Sequence, residues 1–375
     1  MKKFRCILLS LLVVVALTFS CKHTVTYTEG EIDIAACVEN NRQMNISEIS
    51  SHIDYIQLET SEESLIGQIR QVKIKNGNIF ILDKTQAILM FDISGKFIRK
   101  IGSIGQGPGE YITIFDFLVS DSSIYTMDRI QLKIIKYDLN GKVLIEKKMT
   151  SQPDKFAVLN DSLIAAQYNY PEFAYNNDYR ISIFNKNLDK IADLLTSDYK
   201  IEQSQASSMA THMRSFFQNV NDTLTFWECR DDIIYKIVNE KTIIEKYDLK
   251  YKNKLSAQDG YMISGKNEIS KMMESANYFF FSGNYNDKFG QVIYLKNEKT
   301  GFNIGAGFTN EKGPSMFGDN VTEDNKLLTV FHAYNFKKQL EKDKIPVEQM
   351  VENLQEIMKT CDFDDNPCIM VATLK

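Results

Sequence analysis

Two consecutive stretches of this chain are near copies of one another. The first places apolar segments at residues 69–74, 78–83, 88–92 and 97–102, and the second at 115–119, 123–128, 134–138 and 143–147. Asp83 matches Asp128 at a spacing of 45 residues, while Asp92 matches Asp138, and Gly95 matches Gly141, at 46. Four short strand-like segments in a period of about 40 to 50 residues are the signature of a β-propeller blade, which buries its faces only by stacking on neighbours. Between the third and fourth segments stand Ser94-Gly95 and Asn140-Gly141, residues that accept the positive φ of a tight hairpin.

Fainter copies follow. Residues 162–166 go with 179–185 and a turn at 187–190, 223–227 with 232–237, and 278–282 with 291–295 and a turn at 299–301; a sixth copy begins at 325–331. The expected fold is all-β: a six-bladed β-propeller with blades at roughly 67–104, 112–148, 155–195, 213–250, 262–305 and 323–375. The 23 Phe and 18 Tyr suit pleated, half-buried sheet. An open ring would leave an unpaired strand edge, so a strand at 53–58 is expected to complete the last blade beside 368–374. That blade is interrupted. Pro346 can open a helix, and Val347, Met350, Val351, Leu354, Ile357 and Met358 recur at helical spacing. A short amphipathic helix inserted in the last blade is expected.

The start of the chain is an export signal. Lys2, Lys3 and Arg5 precede residues 7–19, apolar apart from Ser10 and Thr18 and too short for a comfortable membrane span. Residues 17–21, Leu-Thr-Phe-Ser-Cys, resemble a lipobox, with Thr18 where Leu usually stands. This reading gives a lipoprotein signal peptide over 1–20, lipidation at Cys21 and a polar tether over 21–46; the alternative is an ordinary cleaved signal with an incidental cysteine. Two or more acyl chains anchor a protein stably. No acidic cluster follows Cys21, which favours the periplasmic side of the outer membrane, with surface display as the alternative.

Residues 104–111 (Ile-Gly-Gln-Gly-Pro-Gly-Glu-Tyr), the Asp-x-x-Gly-Lys turns at 92–96 and 138–142, and Asp-Asn-Pro at 365–367 together resemble a known family. It comprises six-bladed β-propeller lipoproteins of Gram-negative, gut-type bacteria with NHL-like repeats, and the resemblance covers about residues 50–375. It implies the same fold and an envelope location, and brings no defined activity.

Chemistry is sparse. The formal charge of −5 and the lack of a Lys/Arg-rich run argue against a nucleic-acid partner. The glycine loop fails both phosphate-binding spacings, since Glu110 falls where a dinucleotide motif needs its third Gly and no Gly-Lys-Ser/Thr follows. It reads as a blade-to-blade crossover near the central channel. Cys361 and Cys368 enclose a turn-rich loop and are a candidate disulfide, with free buried thiols as the alternative. Cysteine and histidine spacings match no metal motif, so no metal, cofactor or catalytic constellation is expected. His212, Arg214, His332 and Tyr334 are candidate channel or ligand-face residues, because NHL-like lyases place Tyr, Arg and His around the channel; locally satisfied loop or edge residues are the plain alternative. The leading functional expectation is a membrane-anchored binding or scaffold module for a peptide, glycan or envelope protein. The alternative is a channel-sited lyase or hydrolase.

Overall fold

The second strand of the first repeat is apolar from Ile79 to Leu82 because a blade is buried on both faces. Ile79 and Ile81 join Ile369 and Val371 in one core, while Phe80 and Leu82 join Phe117 and Ile135 in another. The period of two in a strand divides its residues between the two neighbours. In the computed structural model of the chain, which describes residues 29–83, 85, 88–150, 153–168, 179–196, 215–229, 231–255 and 265–375, this pattern repeats around a ring.

The chain begins with β1 (Gly30–Asp33), helix α1 (Ile34–Glu39) and β2 (Ser50–Gln57). Blade 1 follows as β3 (Ile69–Lys75), β4 (Asn78–Asp83), β5 (Ile88–Asp92) and β6 (Phe97–Ile101), then a small parallel pair, β7 (Ser103–Ile104) and β8 (Glu110–Tyr111). Blade 2 is β9 (Ile114–Val119), β10 (Ser123–Asp128), β11 (Lys133–Asp138) and β12 (Val143–Lys148); blade 3 is β13 (Lys155–Asn160), β14 (Leu163–Gln167), β15 (Tyr179–Asn185) and β16 (Lys190–Thr196). Blade 4 is β17 (Ser215–Val220), β18 (Thr223–Glu228), β19 (Ile233–Asn239) and β20 (Thr242–Lys250); blade 5 is β21 (Glu268–Glu274), β22 (Tyr278–Tyr285), β23 (Lys288–Leu295) and β24 (Thr300–Gly305). Blade 6 holds β25 (Asn320–Val321), β26 (Lys326–Phe331) and β27 (Cys368–Leu374), with β2 as its outermost strand.

Six hydrophobic clusters among the described residues each occupy one blade-to-blade interface. The ring closes through β2 and β27, which run antiparallel with Ser50 opposite Leu374 and Gln57 opposite Cys368. The outer turns show why the repeat carries Asp and Gly. Asp92 Oδ1 accepts from the amides of Ser94 (2.8 Å) and Lys96 (3.0 Å), and Asp138 Oδ1 from those of Asn140 (2.9 Å) and Lys142 (2.8 Å). Gly95 has φ 89°, and a Cβ there would lie 2.1 Å from the carbonyl oxygen of Gln57.

Three expectations need correction. The stretch read as a tether to residue 46 is part of the fold from residue 29. β1 adds in parallel to the outer edge of blade 4, Gly30 opposite Tyr247 and Asp33 opposite Lys250. From there α1 packs on blade 5, where Asn40 Nδ2 donates to the Gly301 carbonyl at 3.0 Å. Ile32, Ile34, Met44 and Ile46 are at most 2 % exposed; scattered among polar residues, they left no periodic signal.

The single helix expected from Pro346 is two helices, α2 (Ala333–Asp343) and α3 (Glu352–Thr360), joined by a 3-10 turn at Val347–Gln349. Pro346 and Val351 are extended, so the helix starts later than the apolar stripe. Met350, Leu354 and Ile357 are buried, whereas Val347 is 41 % exposed.

Cys361 and Cys368 are separate buried thiols. Cys361 ends α3, its Sγ 3.5 Å from the Asp362 carbonyl, while Cys368 is held in β27 opposite Gln57. Burial pushes both thiols above the ordinary cysteine range, which disfavours the reactive thiolate.

Candidate functional site

The first strand of each blade lines the central axis and leaves one edge without a strand partner. Such an edge presents bare carbonyl groups, and side chains rich in N–H donors answer them. Lys73 Nζ donates to the Phe117 carbonyl of blade 2, and Asn320 Nδ2 to the Val72 carbonyl of blade 1 at 3.1 Å. Asn219 Nδ2 donates to the Val158 carbonyl of blade 3, and Lys271 Nζ to the Asp319 carbonyl at 2.6 Å. Gln218 Nε2 reaches from blade 4 past blade 5 to the Val321 carbonyl at 2.6 Å. Around these contacts lies a central cavity of about 770 Å³.

The two ends of the channel differ. All eleven turns at the end where the first strands finish are two to four residues long, from 76–77 to 322–325. There Lys75 Nζ pairs with Asp121 at 3.3 Å and Glu323 at 2.7 Å, tying blades 1, 2 and 6 together. The long connections, including both C-terminal helices, leave from the opposite end. That mouth carries Arg70, Asp154, Lys155, Lys271 and His332.

Several carboxylates near this mouth are engaged by the backbone. Asp116 accepts from the Phe156 amide and from Gln71 Nε2, each at 2.9 Å, and Asp319 accepts from the Val330 amide at 2.8 Å. A buried chain of polar groups leads inward between blades 3 and 4. Ser215 Oγ donates to Gln167 Oε1 at 2.8 Å, and Gln167 Nε2 to Glu228 Oε1 at 3.3 Å. Arg180 then bridges Glu228 at 2.6 Å and Asp231 at 2.7 Å. Burial raises the Glu228 carboxyl against the pull of Arg180, as low dielectric disfavours its charged form.

Of the candidate site residues, His332 is exposed and lines the channel mouth. Tyr334 does not line it. α2 buries Ala333, Phe336 and Leu340, which turns Tyr334 outward against Phe363, with ring centroids 5.8 Å apart. His212, Arg214 and the proposed lipidation site Cys21 lie outside the described residues. The channel donors were missed, although a signal existed: Arg70, Gln71, Lys73 and Lys75 crowd one first strand while residues 79–82 beside it are wholly apolar.

The glycine loop also sits elsewhere than expected. It connects blades 1 and 2, but packs on the outer strands of blade 2 rather than at the channel: Tyr137 Oη donates to the Gly109 carbonyl at 2.9 Å. Its amides are already occupied by carboxylates, Gly107 N donating to Glu110 at 2.8 Å and Gly109 N to Glu146 at 2.5 Å. Those amides leave no cradle for a phosphate.

A closed ring of six blades, five of four strands and one widened to five by β1, around a polar channel defines the protein as a six-bladed β-propeller. A protein from Bacteroides fragilis, described as exported, shares this fold in its crystal structure, with TM-score 0.71, 16% identity and coverage of 93% of this chain and 100% of that one. A member of the DUF4221 family from Bacteroides vulgatus gives TM-score 0.46 at 9% identity over 87% of this chain and 97% of its own. For BamB from Moraxella catarrhalis the values are 0.38, 10%, 74% and 75%. No curated protein matches the sequence. The model of a domain of unknown function, DUF4934, matches residues 29–373, and the chain belongs to that family.

Proposed function

We propose that this is an exported, lipid-anchored propeller, NHL-like in its blade pattern, that serves as a binding or scaffold module for a peptide, glycan or envelope protein. The carrying observation is the unequal pair of faces: tight turns at one end, and long connections with the Arg70, Asp154, Lys155 and His332 mouth at the other. Long connections on a rigid scaffold are the usual place for recognition. Binding is favoured over a channel-sited lyase or hydrolase because Asp116 and Asp319 already accept backbone amides. Cys21 carries the anchor in this reading, in the outer membrane facing the periplasm.

Photo-crosslinking in the native envelope tests the module. A crosslinker at His332 should capture a partner that one at Lys241, in a tight turn of the opposite face, does not. Equal capture at both positions would sink the assignment of the face. Cys21→Ala tests the anchor, since it should release the protein from membranes or stall its processing; a matured variant that stays membrane-bound would exclude lipidation.

A further inference from the structure

Where blades 1 and 2 meet at the long-connection end, two arginines stand beside carboxylates that are already spent. Arg70, near the start of β3, donates from Nη1 to the Ile114 carbonyl of blade 2 at 3.4 Å, a long bond that occupies little of its fork. Asp128 lies opposite Ile114 at the end of β10, which brings Arg129 beside the start of β9. The Arg129 guanidinium lies 4.6 Å from the centre of the Phe115 ring, near enough for a cation–π contact to hold it. Both arginines are exposed. Among the described residues, the arginine ion pairs belong to Arg42 and Arg180 and not to these two.

The carboxylates of this corner face inward. Asp83, Asp116 and Asp128 are at most 4 % exposed. Asp83 accepts from the Gln68 amide at 2.6 Å and from the Thr85 hydroxyl. Asp116 accepts from the Phe156 amide and Gln71, and Asp128 from the amides of Ile112, Ile130 and Gln131. Two positive charges are left unanswered at the edge of the cavity that Arg70 and Phe115 line.

Resting on the binding-face reading above, we propose that Arg70 and Arg129 form a recognition site for the Asp or Glu side chains of an acidic peptide segment docking at the mouth. Guanidinium forks grip carboxylates through paired hydrogen bonds, and arginine clusters are a recurrent reader of acidic motifs. Phe115, and Ile130 at 62 % exposure, offer apolar contact beside the charges. A long acidic polysaccharide fits less well. A polyanion calls for a basic stripe, whereas this chain carries −5 overall and places Asp154 and Asp319 around the same cavity.

The test pans phage-displayed random twelve-residue peptides on the mature protein and measures the enriched peptides by fluorescence anisotropy. They should carry Asp or Glu, and replacing those residues by Asn or Gln should weaken binding at least tenfold. The double variant Arg70→Gln/Arg129→Gln should weaken it as much with an unchanged melt, since both side chains are exposed. The Arg70→Lys/Arg129→Lys variant keeps the charge but not the fork and should recover only part of the affinity. Lys241→Gln, on the opposite face, should bind like the parent. No enrichment, enrichment without acidic residues, or acidic peptides that bind the double Gln variant as well as the parent would overturn the site. Polygalacturonate that binds the parent but not the double Gln variant would also overturn it, by assigning the pair to an acidic glycan. The crosslinker at His332 separates this from the wider reading. A partner captured equally by the parent and the double Gln variant overturns the arginine site and leaves the binding face standing, whereas equal capture at His332 and Lys241 overturns the face and the site with it.

Discussion

Replacing Asp128 by Ala should unsettle the joint between blades 1 and 2. Its carboxylate is fully buried, with Oδ2 accepting from the Ile112 amide at 2.6 Å and Gln131 Nε2 at 2.8 Å, and Oδ1 from the amides of Ile130 at 2.9 Å and Gln131 at 3.0 Å. Ile130 is 62 % exposed, so the turn amides beside it recover water when the carboxylate goes. The Ile112 amide sits deeper, in the connection that feeds β9. Losing one well-formed bond to a charged acceptor costs about 1.5 to 3 kcal/mol, and the weakened turn adds to this, so about 3 kcal/mol is expected. Unfolding entropy near 2.1 cal/mol/K per residue, over a cooperative ring of about 350 residues, converts that to roughly 4 °C in melting temperature. Asp138→Ala is the control: it removes two amide contacts in a more open outer turn and should cost about 1 kcal/mol or less. Calorimetry of both variants decides. Asp128→Ala melting within 1 °C of the parent, or Asp138→Ala proving the more damaging, would refute the reasoning.

Leu354 is fully buried in the cluster that joins the helices to blades 5 and 6, so Leu354→Ala should cost about 2 to 5 kcal/mol in chemical denaturation. An unchanged midpoint would show the helical insert to be uncoupled from the ring. Deleting residues 22–28 should leave the melt unaltered; extending the deletion through Asn45 strips Ile32, Ile34, Cys37 and Met44 from their cores and should lower it, and continuing through Leu58 removes β2 and should abolish cooperative folding altogether. Glu146 is held below the ordinary carboxylate range by the Gly109 amide and Lys133, so its stabilisation is complete above about pH 4.5 and is lost as the pH falls through the lowered folded value. The stability gap between the parent and Glu146→Gln should therefore narrow between pH 6 and pH 3, and a gap that stays constant or widens on acidification would count against the assigned contact.

Much of the ring was legible because it is written locally. Ile79 to Leu82 are apolar on both sides of a strand, and Asp92 and Asp138 each organise a turn within four residues of themselves, so about 45 residues suffice to announce a blade. A turn can also be read where its glycine is missing: Leu188 takes φ 63° in the third outer turn, with Asn185 accepting from the Asn187 and Asp189 amides at 2.9 Å as Asp92 and Asp138 do. The remainder joins residues with no local signature. Gln57 Nε2 meets the Asn366 carbonyl across 309 positions, and Gln218 meets Val321 across 103. Polar residues 29–46 look like a leash until blades 4 and 5 supply the edge and the groove that order them. Repeats and turn chemistry therefore set the kind of blade and its number. Which donors fill the channel, where the N-terminal chain is strapped, and which face stays open follow from contacts that exist only once the ring has closed.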